Sequence, residues 1–135
     1  MNEPKPDKLH LTSLTPSLTV GDVNATLRFY TEVLGFEITE RFEQDGRLGG
    51  AVLAAGEARL LIGQDDWKKG RDRQKGIGFR LYLGTAQSID DLAAAIQARG
   101  AQLDREPTDQ PWGTRDFAIS DPDGFAITFS SEFES

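Results

Sequence analysis

Polar and apolar positions alternate through much of this chain, and the period of the alternation changes in an order that repeats. In the first stretch Leu14, Leu18 and Val20 fall on one side, with Pro16 between them, and Ser13, Thr15, Ser17 and Thr19 on the other. A period of two predicts a strand with a core face and a polar face, and a proline there suits an edge or an unpaired position. Asp22 then stands where a helix N-cap belongs. Val23, Leu27, Tyr30 and Leu34 recur at helical spacing, Val33 widens the stripe, and Gly35 follows the last turn, where a left-handed backbone favours glycine. Residues 36–42 return to strand alternation, Asp45-Gly46 is a hairpin signal, and residues 48–54 and 58–63 read as two further strands around Gly56.

Residues 64–76 (QDDWKKGRDRQKG) break the pattern with eight charges and two glycines, Trp67 among them, and read as a solvated connection. The first half then repeats. Residues 77–83 alternate as a strand, and Ser88 caps a helix with Asp91 three residues on. Ile89, Leu92, Ala93 and Ile96 form its stripe and Gly100 ends it. Strands follow at 101–105, 114–120 and 125–131, with the turn Asp121-Pro122-Asp123-Gly124 before the last. The caps Asp22 and Ser88, and the closing glycines Gly35 and Gly100, recur at a spacing of about 65 residues. The chain therefore divides into a disordered or extended arm (1–10), a βαβββ module (11–63), a charged linker (64–76), a second βαβββ module (77–131) and a tail (132–135). Neither module is long enough to bury much apolar surface alone, so the two share a core. Phe29, Phe79, Phe125, Ile127 and Phe129 fall on core-facing stripes.

Composition removes several function classes. Fifteen Lys+Arg against 22 Asp+Glu give a net charge of −7, which leaves no basic surplus for nucleic acid or an anionic membrane surface. No apolar run approaches the ~18 residues of a membrane span, and residues 1–8 lack the apolar core of a signal peptide, so the expectation is a cytoplasmic protein. There is no cysteine and a single histidine, His10, in the arm. That excludes a thiolate nucleophile, Cys-ligated metal and a multi-histidine site within one chain. The glycines at 46, 49, 50 and 56 are not followed by Lys-Ser/Thr or by a helix, so they make no phosphate loop. The Asp121–Gly124 turn is too short for a calcium loop.

Three stretches carry a family resemblance: LTVGDVNATLRFYTEVLGFEI (18–38), LLIGQDDWKKGRDRQKGIGFRLYL (60–83) and QPWGTRDFAISDPDGFAITF (110–129). Together with the duplicated βαβββ unit they resemble the vicinal oxygen chelate superfamily, which includes glyoxalase I, extradiol dioxygenases, fosfomycin-resistance enzymes and bleomycin-binding resistance proteins. The second and third stretches resemble the bleomycin-resistance-type members in particular. The resemblance implies an α+β fold: two tandem βαβββ modules forming a curved mixed sheet around a cleft, with the helices outside.

Enzymes of that superfamily hold a divalent metal with about four side chains on cleft-facing strands. Carried over residue by residue, those positions fall on Thr15, Leu61, Gly78 or Arg80, and Thr128. None is a carboxylate or an imidazole, and a guanidinium repels a cation. No metal or other cofactor is expected. Strand parity under the same resemblance turns Thr15, Ser17 and Thr19, then Arg59, Leu61 and Gly63, then Gly78, Arg80 and Tyr82, and last Ala126, Thr128 and Ser130 toward the cleft. Small hydroxyls leave volume, and two arginines and a tyrosine can orient or stack on a ligand. Trp67 and Trp112 stand in polar stretches, where a tryptophan either grips a ligand, closes a subunit interface or covers the ends of the sheets.

The expected function is metal-independent binding of a small molecule, by resemblance a bleomycin-like, cationic antibiotic, in a cleft at a homodimer interface. The expected ligand-binding residues are Thr15, Ser17, Leu61, Trp67, Arg80, Tyr82, Trp112 and Thr128, with no catalytic residue assigned. The alternative is a glyoxalase-type lyase, isomerase or dioxygenase with a non-standard or absent metal site; Glu40, Glu57 and Asp116 are then the acidic candidates for a general base. A module that serves protein interaction is a third reading. Arg115 and Asp116 are expected to pair with the linker charges Asp65, Asp66, Arg71 and Arg73, without a functional role.

Overall fold

The computed structural model describes residues 7–132. Eight strands and two helices follow in the order β1 (Ser17–Val20), α1 (Val23–Arg28), β2 (Glu37–Gln44), β3 (Arg47–Ala55), β4 (Ala58–Gln64), β5 (Arg80–Thr85), α2 (Ile89–Ala98), β6 (Arg105–Asp109), β7 (Arg115–Ser120) and β8 (Ala126–Ser131). The strands form two four-stranded mixed sheets of identical topology, β1-β4-β3-β2 and β5-β8-β7-β6. In each, the first strand of the module runs parallel to the last and the other pairs are antiparallel. The duplicated sequence thus folds as a duplicated α+β structure. No helix among the described residues is long and apolar enough to cross a membrane.

The helices form for the reasons their ends suggest. The Asp22 carboxylate accepts the backbone N–H groups of Asn24 and Ala25 at 3.1 and 3.2 Å, and Ser88 Oγ accepts that of Asp91 at 3.2 Å. Each cap satisfies otherwise orphaned donors and contributes about 1 kcal/mol. After Arg28 the first helix widens into a π-helix over Phe29–Leu34 and ends at Gly35, whose φ is +98°. The wider turn still buries Tyr30 and Leu34.

One apolar cluster spans both halves. From the first module it takes Leu18, Val20, Leu53 and Ile62 with Tyr30, and from the second Phe117, Ile119, Ile127 and Phe129 with Ile96. Polar ties cross the same boundary. Tyr30 Oη donates to Asp121 Oδ2 at 2.9 Å, the Gly21 N–H donates to Asp123 Oδ1 at 3.1 Å, and Arg99 donates to the Val33 carbonyl at 2.8 Å. The Asp121–Gly124 turn therefore fastens the second module onto the first helix while turning the chain into β8.

Several element boundaries differ from the sequence expectation. Leu14 is 82 % exposed and precedes β1, because the chain joins the sheet only from Pro16, whose carbonyl accepts the Leu61 N–H. Strand β5 begins at Arg80 rather than 77: Gly76 and Gly78 both have positive φ and break the extended backbone, leaving Ile77 and Phe79 exposed. Phe79 packs edge-on against Phe125 at the margin instead of in the core. β6 lies at Arg105–Asp109 instead of 101–105 and pairs with β7 through an irregularity around Pro107. The 64–76 segment is not simply solvated, since it includes the end of β4 and the buried Asp65.

Candidate functional site

The faces away from the helices are where the two sheets offer chemistry. On the second sheet, even-numbered positions of β5, β7 and β8 point away from α2, whereas Leu81, Phe117, Ile119, Ile127 and Phe129 pack toward it. Tyr82 lies opposite Thr128, Thr128 opposite Ala118, and Asp116 opposite Ser130. Arg105 of β6 completes the row beside Ala118. This register builds a polar cluster over the sheet. Arg80 Nη1 donates to Thr128 Oγ1 at 2.8 Å. The Asp116 carboxylate, 1 % exposed as a residue, receives Arg105 Nη2 at 2.6 Å, Gln110 Nε2 at 2.9 Å and Tyr82 Oη at 3.3 Å. A buried carboxylate persists only when its charge and lone pairs are matched, and here three donors match them.

On the first sheet the equivalent face carries Ser17 opposite Leu61, and Leu61 opposite Val52. Ser17 is exposed and Leu61 half-buried. A cavity of about 600 Å³ lies between the segment before β1, the start of β4 and strand β5, lined by Thr15, Pro16, Arg59, Phe79, Arg80 and Tyr82 among others. A second cavity of about 620 Å³ lies beyond Tyr82, against Gly84, Phe129, Leu34 and Ala58. Of the expected ligand-binding residues, Thr15, Arg80 and Tyr82 share one cavity, and Thr128 is joined to them through Arg80. Ser17 and Leu61 sit on the adjoining strand rows.

The two tryptophans lie elsewhere within the chain. Trp112 is 57 % exposed in the turn between β6 and β7. Trp67 packs its ring beside Gly21, with the Arg71 guanidinium 4.9 Å and the Lys75 ammonium 5.6 Å from the ring centre. Its backbone is left-handed (φ 63°), and its N–H donates to Asp65 Oδ1 at 2.9 Å. Asp65 in turn binds Lys75 and Arg73. The Lys75 ammonium hydrogen bond, followed by the Trp67 N–H, holds the Asp65 carboxyl down to about 2.

The expected pairing of Arg115 and Asp116 with linker charges does not occur. Arg115 pairs with Asp90 at 2.9 Å and Asp109 at 3.1 Å, because Asp90 lies in the first turn of α2 and Asp109 directly opposite on β6. These bonds hold the Asp90 carboxyl below, and the Arg115 guanidinium above, their ordinary values. At the module boundary, burial pushes the Asp121 carboxyl and, chiefly, the Tyr30 phenol up. Arg105 and Gln110 are inward-facing residues that sequence reasoning left unassigned, and Asp116 it named only as a general-base candidate and as a partner of the linker charges. Parity extended to β7 would have turned Asp116 inward with Ala118 and Ser120; nothing in sequence marks Gln110, which reaches back from the turn.

The residues at the superfamily's metal positions do not fit a divalent ion. Thr15 is exposed ahead of β1, Leu61 offers carbon only, Gly78 is an exposed loop residue, and the Arg80 side chain is bonded to Thr128. Among the described residues, no three His, Cys, Asp or Glu side chains are grouped so as to hold an ion. His10 is exposed in the arm, Glu40 and Glu57 are exposed, and the Asp116 carboxylate is engaged by its three donors.

The family model described as the Glyoxalase/Bleomycin resistance protein/Dioxygenase superfamily matches residues 9–129. A bleomycin resistance protein of Geobacillus stearothermophilus is 30 % identical over 132 residues, spanning 89 % of this chain and 96 % of that protein. A putative lactoylglutathione lyase of Brassica oleracea is 27 % identical, spanning 92 % of this chain but only 45 % of that protein. Among solved structures, a superfamily member from Sphaerobacter thermophilus superposes with a TM-score of 0.73 at 26 % identity, covering 92 % of this chain and all of that one. TioX from Micromonospora sp. ML1 superposes with a TM-score of 0.75 at 19 % identity, covering 90 % of this chain and 99 % of that one. The matched length, the duplicated βαβββ topology and the shared fold agree: this chain belongs to the glyoxalase/bleomycin resistance protein/dioxygenase superfamily.

Proposed function

We propose that this protein binds a small molecule in the cleft over its second sheet, without a metal, and acts by sequestering it. The observation that carries this reading is the Arg80–Thr128 hydrogen bond. Arg80, one of the two residues that can correspond to the superfamily's fifth-strand metal position, is here tied to Thr128 at its last-strand position, and a guanidinium repels a cation. Tyr82 lines the cavity, and its hydroxyl is held by the Asp116 carboxylate that Arg105 and Gln110 also bind, the arrangement expected of a binding site that orients its ligand. Likeness to bleomycin resistance proteins points to a bleomycin-like antibiotic as the ligand class. Thr15, Ser17, Leu61, Arg80, Tyr82 and Thr128 line the cleft in this reading. Trp67 and Trp112 contribute through a homodimer, in which loops of one subunit approach the cleft of the other. The protein works in the cytoplasm, where such a drug would act.

The test is a titration of the full chain with metal-free bleomycin and with its copper complex, followed by tryptophan fluorescence and calorimetry. Saturable binding near one drug per chain, weakened at least about tenfold by Tyr82→Ala, is expected. Absence of saturable binding by either form overturns the antibiotic assignment. The likeness to a putative lactoylglutathione lyase of Brassica oleracea supports a second reading, lactoylglutathione lyase activity. An assay with Zn²⁺ or Ni²⁺ present separates the two, and no turnover is expected.

A further inference from the structure

The chain has ten arginines, and six of them are engaged by other groups of the protein. Arg59 and Arg99 donate to backbone carbonyls, Arg80 to Thr128, and Arg73, Arg105 and Arg115 to carboxylates. The other four, Arg28, Arg41, Arg47 and Arg71, have no hydrogen-bonded or ionic partner for their guanidinium groups among the described residues. All four line one groove, of about 990 Å³, between α1 and the β2–β3 hairpin. The groove lies on the helix side of the first sheet, since Ile38, Leu48 and Leu27 are in its wall, and so away from the cleft over the second sheet. The chain carries 22 acidic residues and a net charge of −7, yet the four guanidinium groups without a partner among the described residues are gathered in one place.

The chemistry of the groove is specific. None of its lining residues is lysine. Guanidinium groups present forks of N–H donors that match pairs of phosphate or carboxylate oxygens, which ammonium groups do not. The carboxylates in the wall are Glu32, Glu43 and Asp65. Asp65 is already bound to Lys75 and Arg73, so two negative charges face four positive ones. That surplus favours a ligand with several clustered negative oxygens over a single monoanion. The Trp67 ring forms part of the wall, held there by a left-handed backbone and the Asp65 hydrogen bond, with Arg71 stacked over it. A non-glycine residue in that conformation costs roughly 1 kcal/mol or more, so the ring's position is one that its surroundings enforce. The volume suits a small molecule of nucleotide size.

We propose that this groove is a second ligand site, taking a small molecule with two or more phosphate groups through Arg28, Arg41, Arg47 and Arg71. Within one chain it lies apart from the cavity beside Arg80 and Tyr82, and the Trp67 ring is the one feature it shares with the proposed dimeric cleft. The probe is sodium tripolyphosphate, titrated by calorimetry and by Trp67 fluorescence in a Trp112→Phe background at low ionic strength, with citrate in a parallel arm. Saturable 1:1 binding that quenches or shifts Trp67 emission is expected. The exposed pairs Arg41→Gln/Arg47→Gln and Arg28→Gln/Arg71→Gln should each weaken it at least about tenfold with unchanged melting temperature. Arg59→Gln, outside the groove, should leave it unchanged. No saturable binding by wild type, or equal loss in Arg59→Gln, overturns the site. Citrate binding as tightly as tripolyphosphate overturns the phosphate assignment.

Discussion

The buried carboxylate of Asp116 gives the sharpest energetic expectation. Replacing Arg105 by Met removes the partner 2.6 Å away and keeps most of the aliphatic stem. Gln110 and Tyr82 still donate, at 2.9 and 3.3 Å, but neither carries charge. Removing one partner of a fully buried ion pair costs ~3–5 kcal/mol, because the remaining charge is stranded. The Arg105 side chain is 38 % exposed while that of Asp116 is 2 % exposed, so water already screens one end of the pair. A cost of about 2–3 kcal/mol is the appropriate expectation. For a chain of this size that lowers the melting temperature by roughly 8–12 °C. Urea unfolding followed by circular dichroism measures the free energy directly. The decisive comparison is with the double variant Arg105→Met/Asp116→Asn. The asparagine side chain is neutral and still accepts from Gln110, so the double variant should regain more than half of the loss, with a coupling energy of at least about 1.5 kcal/mol. A single-variant cost below about 0.5 kcal/mol, or strictly additive losses, would refute the view that Asp116 is a desolvated charge held by Arg105.

Three other parts of the molecule carry expectations of their own. Asp65, held down to about 2 by Lys75, titrates below its unfolded value of 3.8; it therefore stabilises the fold above about pH 4, and that contribution is lost as pH falls toward 2. Asp65→Asn should flatten the acid limb of a urea stability profile between those pH values. Tyr30→Phe removes the donor to Asp121 and should cost about 1–3 kcal/mol at pH 7; the penalty should shrink as pH falls and the Asp121 carboxyl, already raised by burial, takes up a proton, which urea titrations at pH 7 and pH 4 can compare. Gly76 and Gly78 both have positive φ, but a Cβ on Gly76 would lie 2.8 Å from the Gly124 carbonyl oxygen, whereas one on Gly78 meets nothing within 4 Å. Gly76→Ala should thus lower the melting temperature clearly more than Gly78→Ala, for which ~1–2 kcal/mol of backbone strain is the whole cost.

The architecture was legible because it is written twice. Asp22 with Gly35 and Ser88 with Gly100 delimit two helices whose caps form as their residue types require, and both sheets share one strand order. Local chemistry and repetition point to the same answer at those places. The misread boundaries lie where local alternation continues but pairing does not. Leu14 and Ile77 keep the parity of the strands that follow them, yet Pro16 and the positive-φ pair Gly76 and Gly78 keep those segments out of the sheets. Period two is a property of side chains; a strand also needs a neighbour for its N–H and C=O groups, and that neighbour is a tertiary fact.

The candidate site divides on the same principle. Parity alone could turn Arg80, Tyr82 and Thr128 toward one face, since each sits within a regular strand. It could not anticipate that Arg80 reaches Thr128, because a side-chain bond across 48 positions depends on the parallel β5–β8 pairing. Nor could it separate charges of one sign by role. Arg105, Arg115 and Arg71 look alike in sequence, yet one neutralises a buried carboxylate, one ties a helix start to a strand, and one stacks on Trp67 with its N–H groups uncommitted. What distinguishes them is which donors already have partners. The guanidinium groups that have none among the described residues all line the groove beside α1. A net charge of −7 gives no hint of it, because it averages over a surface on which four guanidinium groups without a bonded partner among the described residues line one groove.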